Sequence, residues 1–62
     1  MFSSFGFKNK TVKELRKNKG FTAKELALQI NVSESLILRV DDRKLKHVPD
    51  PLQSKLVPVL KD

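Results

Sequence analysis

A chain of 62 residues with a net charge of +6, a sequence pI of about 10.0 and no cysteine allows one small domain and excludes disulfides and thiolate metal sites. The lone histidine, His47, cannot build a metal site, and no nucleophile–base pair, Gly-rich phosphate loop or ligand cluster is present. An enzyme, a cofactor and a small-molecule ligand are therefore not expected. With no apolar run of signal-peptide or membrane-span length, the chain reads as soluble and cytoplasmic, away from any membrane.

Residues 1–9 come first and are expected to be a mobile N-terminal segment, unless Phe2, Phe5 and Phe7 pack on the first helix. Thr11 and Glu14 then have capping-box spacing, in which the threonine accepts from an amide one turn on and the glutamate reaches back. A helix over Val12–Asn18 follows, with Val12 and Leu15 inward, ended by Gly20, which tolerates left-handed backbone.

Thr22 and Glu25 repeat the capping box. The second helix is predicted over Ala23–Ile30, with Ala23, Leu26, Ala27 and Ile30 on one face. Asn31 suits a tight turn with positive φ. Val32 would plug the space between helices, and Ala27 would let them approach closely.

Ser33 is the expected N-cap of a third helix, Glu34–Asp41, with Leu36, Ile37 and Val40 inward. Its opposite face would hold Glu34, Leu38, Asp41 and Asp42, with Ser35 and Arg39 beside them. A fourth helix would begin at Pro51, capped by Asp50 with Gln53, and carry Leu52, Leu56 and Leu60. Pro58 is expected to stop it near Val57, leaving an extended or kinked tail. No segment alternates with period two and no hairpin signal appears, so the fold class is all-α.

The pattern Thr22, Leu26-Ala27, Asn31, Val32, Ser33, Ile37, Val40 and Asp41-Asp42-Arg43 resembles the phage repressor/Cro-type (XRE-like) helix-turn-helix family, over roughly Thr11 to Leu60. The resemblance implies a compact, lambda-repressor-like four-helix domain spanning 1–62, truncated before a fifth helix. Three positions depart from the family: Ala23 where it often has Gln, Asn31 for the turn Gly, and Asp42-Arg43 for Asn-Gly. It also implies sequence-specific binding of double-stranded DNA by a small transcriptional regulator of prokaryotic or phage type. The third helix would lie in the major groove, which makes Glu34, Ser35, Leu38 and Arg39 the base-contacting residues. Phosphate contacts would come from Thr22, Ala23 and Lys24 at the start of the second helix and from Arg43, Lys44 and Lys46 after the third. Lys8, Lys10 and Lys19 would extend that footprint. Without a fifth helix, a homodimer would be weak or DNA-dependent.

Charge divides the chain. Residues 1–24 carry a net +6, residues 25–42 a net −3 and residues 43–62 a net +3. Phosphate attraction would thus come from the ends, while Arg39 reads among Glu34, Asp41 and Asp42 unless it pairs with Asp42 or Glu34. Leu28 and Leu38 each lie about 150° from their helix's apolar stripe at 100° per residue. They define a partner patch and an alternative function, a protein–protein interaction module such as an antirepressor or dimerising regulator.

Overall fold

The computed structural model describes residues 6–61. Among them the chain forms four α-helices, α1 (Val12–Asn18), α2 (Ala23–Ile30), α3 (Glu34–Val40) and α4 (Leu52–Leu60). A 3-10 turn precedes α1 at Phe7–Asn9 and another lies between α3 and α4 at Leu45–His47. The domain is all-α, with one isolated antiparallel bridge between Thr11 and Lys44 among the described residues. None of these helices is long and apolar enough to cross a membrane. Residues 1–5, with Phe2 and Phe5, lie outside the described residues; Phe7 is half-buried against the core.

Local chemistry fixes the helix starts. Both capping boxes form: Thr11 Oγ1 accepts from the Glu14 amide at 3.1 Å while Glu14 accepts from the Thr11 amide at 3.0 Å. Thr22 and Glu25 repeat the exchange at 3.1 and 2.9 Å. The hydrogen bond from the Thr11 amide, offset in part by desolvation, holds the Glu14 carboxyl below its ordinary value. That bond favours the ionised acid, so the box is at full strength above the ordinary carboxylate range and is lost as pH falls through the lowered value. Gly20 ends the first helical segment at φ 79.

The core is one cluster. Val12 and Leu15 from α1 meet Leu26, Ala27 and Ile30 from α2, Ile37 and Val40 from α3, and Leu52, Leu56 and Leu60 from α4. Leu45 and Val48 complete it at 0% and 2% exposure, although the segment between α3 and α4 shows no helical or strand periodicity. Each fully buried side chain of this size contributes about 1.5–3 kcal/mol, a large share of the stability of so small a domain.

The region around α4 departs from the sequence reading in three respects. The Asp50–Gln53 capping box does not form: α4 begins at Leu52, and Pro51 is its N-cap without a side-chain cap bond. Asp50 Oδ1 instead accepts from the amide and hydroxyl of Ser54, and Gln53 Nε2 donates to the Val48 carbonyl at 2.8 Å. The helix also runs through Pro58 to Leu60. Pro58 cannot donate to Ser54, but both residues are exposed, so water can satisfy that carbonyl. Burial of Leu56 and Leu60 outweighs the missing bond.

Arg16 and Asp41 form a buried ion pair. Arg16 Nη2 donates to Asp41 Oδ2 at 2.7 Å and Nε to Oδ1 at 3.2 Å, while Nη1 donates to the Phe21 carbonyl at 3.1 Å. Hydrogen bonding to Asp41 raises the guanidinium further above its ordinary value, so it stays charged. Asp41 also accepts the Lys13 amide at 3.0 Å through its carbonyl, and Arg43 accepts the Val12 amide at 3.0 Å. The open end of α1 is thus filled by the chain that leaves α3.

Removing either partner strands a buried charge. Arg16→Met and Asp41→Leu should each cost roughly 3–5 kcal/mol, and the double variant less than either alone. Urea denaturation of the three variants checks this; additive losses would show that the pair is uncoupled.

Candidate nucleic-acid interface

The α2–α3 connection is built by backbone chemistry. Asn31 adopts the left-handed conformation at φ 58, ψ 49. Its amide donates to the Leu28 carbonyl, and the Val32 amide reaches back to the Ala27 carbonyl at 3.0 Å. These two bonds form the Schellman closure of a helix end, with asparagine in the position that glycine usually fills. Val32 is half-buried against the core, beside the closure that Ala27 helps make. Ser33 Oγ then accepts from the Leu36 amide at 3.3 Å and starts α3.

Burial of Ile37 at 0% and Val40 at 4% sets the rotation of α3, with Leu36 half-buried beside them. Glu34, Ser35, Leu38 and Arg39 are all exposed. The four residues expected to contact bases therefore share the solvent side of one short helix. Arg39 forms no ion pair with another described residue, neither with Glu34 nor with Asp42.

Asp41 does not belong to this outer face. It is 7% exposed and turned inward to Arg16. Helix α3 ends at Val40, but Asp41 keeps helical backbone angles, φ −57 and ψ −33, and lies one turn beyond Ile37; 100° spacing puts it on the flank of the inner stripe, not opposite it, and from there its side chain reaches Arg16. The change matters electrically: one of three acids expected around Arg39 is neutralised inside the domain, which leaves Glu34 and Asp42. No local pattern announces the pair, because Arg16 and Asp41 lie on different elements.

The candidate phosphate contacts fall into two groups. At α2, Thr22 and Lys24 are exposed, whereas the Ala23 side chain is buried in the core. Ala23 can offer only its amide, which like that of Lys24 has no acceptor inside the helix. The Glu25 carboxylate takes the Thr22 amide, so an anion arriving here shares the helix end with it. The Thr22 hydroxyl accepts within the box and keeps its own proton for an outside acceptor. After α3, Arg43, Lys44 and Lys46 are exposed. His47 is exposed as well, and no group of three or more His, Cys, Asp or Glu able to hold a metal exists among the described residues.

Leu28 and Leu38 are the exposed large hydrophobics of the described chain, at 72% and 55%. They stand on the two helices that the turn joins.

No protein-family model matches this chain, and neither curated proteins nor solved structures give a match.

The turn residue has a measurable role. Asn31→Gly should leave stability unchanged or raise it, whereas Asn31→Val should lower it by about 1–2 kcal/mol, the steric cost of left-handed backbone for a side chain branched at Cβ. Thermal unfolding distinguishes them; equal melting temperatures would mean that the turn relaxes to another conformation.

Proposed function

We propose that this protein binds double-stranded DNA sequence-selectively through the outer face of α3, as a small transcriptional regulator of prokaryotic or phage type. The observation that carries the reading is the joint exposure of Glu34, Ser35, Leu38 and Arg39 on a helix held by a tight turn to α2, with Asp41 withdrawn into the core. A helix with its side chains is about 10–12 Å across and the major groove about 12 Å wide, so α3 fits edge-on to the bases.

Each reader has a chemical role. Arg39 can donate two hydrogen bonds to guanine O6 and N7. Ser35 can serve several bases, Glu34 can accept from cytosine N4, and Leu38 can cover a thymine methyl. Thr22, the Ala23 amide and Lys24 on one side, and Arg43, Lys44 and Lys46 on the other, grip phosphate without reading sequence. Recognition of paired half-sites requires a dimer.

A second reading rests on Leu28 and Leu38. Their exposure on adjacent helices also suits a protein partner, and the domain would then be an interaction module on a helix-turn-helix scaffold.

Amide-shift titration with duplex DNA at two salt concentrations tests the first reading. Shifts are expected at Thr22–Lys24, Glu34–Arg39 and Arg43–Lys46, weakening as salt rises; no binding at low salt would sink it. Arg39→Ala should cost about 1–3 kcal/mol at one base position, and a uniform loss across sequences would make Arg39 a phosphate contact instead. For the second reading, Leu28→Lys and Leu38→Lys should each reduce self-association or partner binding in sedimentation experiments. Unchanged association in both variants would remove the leucine patch from consideration.

A further inference from the structure

The bridge between Thr11 and Lys44 joins two basic segments that are distant in sequence. The Leu45 amide donates to the Lys10 carbonyl at 3.0 Å, and the Val12 amide to the Arg43 carbonyl at 3.0 Å. The 3-10 turns at Phe7–Asn9 and Leu45–His47 pack against each other beside this bridge. Lys8 and Lys10 are thereby brought next to Arg43, Lys44 and Lys46. All five are exposed, neither segment contains an acid, and none of the five forms an ion pair with another described residue.

Such crowding of cations opposes folding unless an anion relieves it. The nearest acids are compromised as partners. Glu14 is engaged with the Thr11 amide and hydroxyl and relieves only Lys10, whose charge helps hold its carboxyl low, and Asp41 is inside with Arg16. Asp42 remains, at the α3 end of the ledge.

We infer that Lys8 and Lys10 act with Arg43, Lys44 and Lys46 as a single phosphate clamp, gripping the DNA backbone at the rim of the groove that α3 enters. The inference rests on the DNA reading above and deepens it: Lys8 and Lys10, expected only to extend the footprint, join the residues after α3 in one unit. Geometry places the ledge suitably. Helix α3 is seven residues long and would present its outer face to the bases. The chain that leaves its end is tied back by the Arg43 amide to the Val40 carbonyl at 2.9 Å, so it turns off the helix axis instead of continuing along the groove. Arg43 to Lys46 follow from that point, and the bridge holds Lys10 against them. The clamp is indifferent to sequence: it sets affinity and salt dependence, while Arg39 and its neighbours set selectivity.

Fluorescence anisotropy with a labelled duplex, from about 50 to 200 mM salt, reads the number of phosphates engaged as the slope of log K against log salt. Neutralising two clamp lysines in Lys8→Ser/Lys10→Ser should flatten that slope by about 1.8, at about 0.9 per contact, and weaken matched and mismatched duplexes alike. A charge-matched control, Lys55→Ser/Lys61→Ser, changes lysines outside the ledge and should leave the slope as in the parent. Circular dichroism confirms that each variant remains helical. A parent that binds duplex while Lys8→Ser/Lys10→Ser keeps its slope overturns the clamp alone. Equal flattening in the control pair also overturns it, since bulk charge then explains the effect. A parent that binds no duplex at low salt overturns the DNA reading and the clamp with it.

Discussion

The Arg16–Asp41 pair joins three parts of the chain that share no local signal. Through side chains it couples α1 to the residue that ends α3; through Nη1 it also holds the Phe21 carbonyl at the entry to α2. Asp41 completes the junction with its own carbonyl on the Lys13 amide. A buried ion pair is not in itself a source of stability, because desolvation offsets much of the attraction. Here it has a geometric effect. The planar guanidinium makes three directed bonds, and these fix where α3 stops relative to α1, hence which residues the third helix turns outward.

That constraint alters the electrostatics of the outer face. In the linear sequence, residues 25–42 carry a net −3 around a single arginine, a poor setting for a phosphate-bearing ligand. Folding removes Asp41 from the surface and cancels it internally. Glu25 is committed to the Thr22 amide, so its carboxylate is held at the start of α2 rather than along α3. Glu34 and Asp42 remain near Arg39, at opposite ends of the helix. The folded domain is a better candidate for a polyanion partner than its sequence suggests.

Much of this architecture was legible beforehand because its determinants are local. Thr11, Thr22 and Ser33 start helices through bonds to amides three residues on, and Asn31 closes α2 through its own backbone angle; spacing and residue type suffice to find them. The inner stripes of α2 and α3 followed from helical periodicity, as did the outward position of Leu28 and Leu38. What remained hidden depends on tertiary contacts. Leu45 and Val48 are core residues in a segment without periodicity, and Asp41 is drawn inward by Arg16, a residue on another helix. Pro58 misled for a related reason. Its local penalty was read correctly, but burial of Leu56 and Leu60 decided the outcome.

The bridge between Thr11 and Lys44 also bears on the order in which the domain can assemble. It closes a loop of chain that contains α1, α2 and α3 and leaves α4 outside. Closing a loop loses chain entropy before its contacts compensate, and most of the helices must already be compact for the ends to meet. Helix α3 and both basic segments are therefore tied to the same long-range contact. The outer face of α3 and the charges beside it thus depend on one closure of the chain.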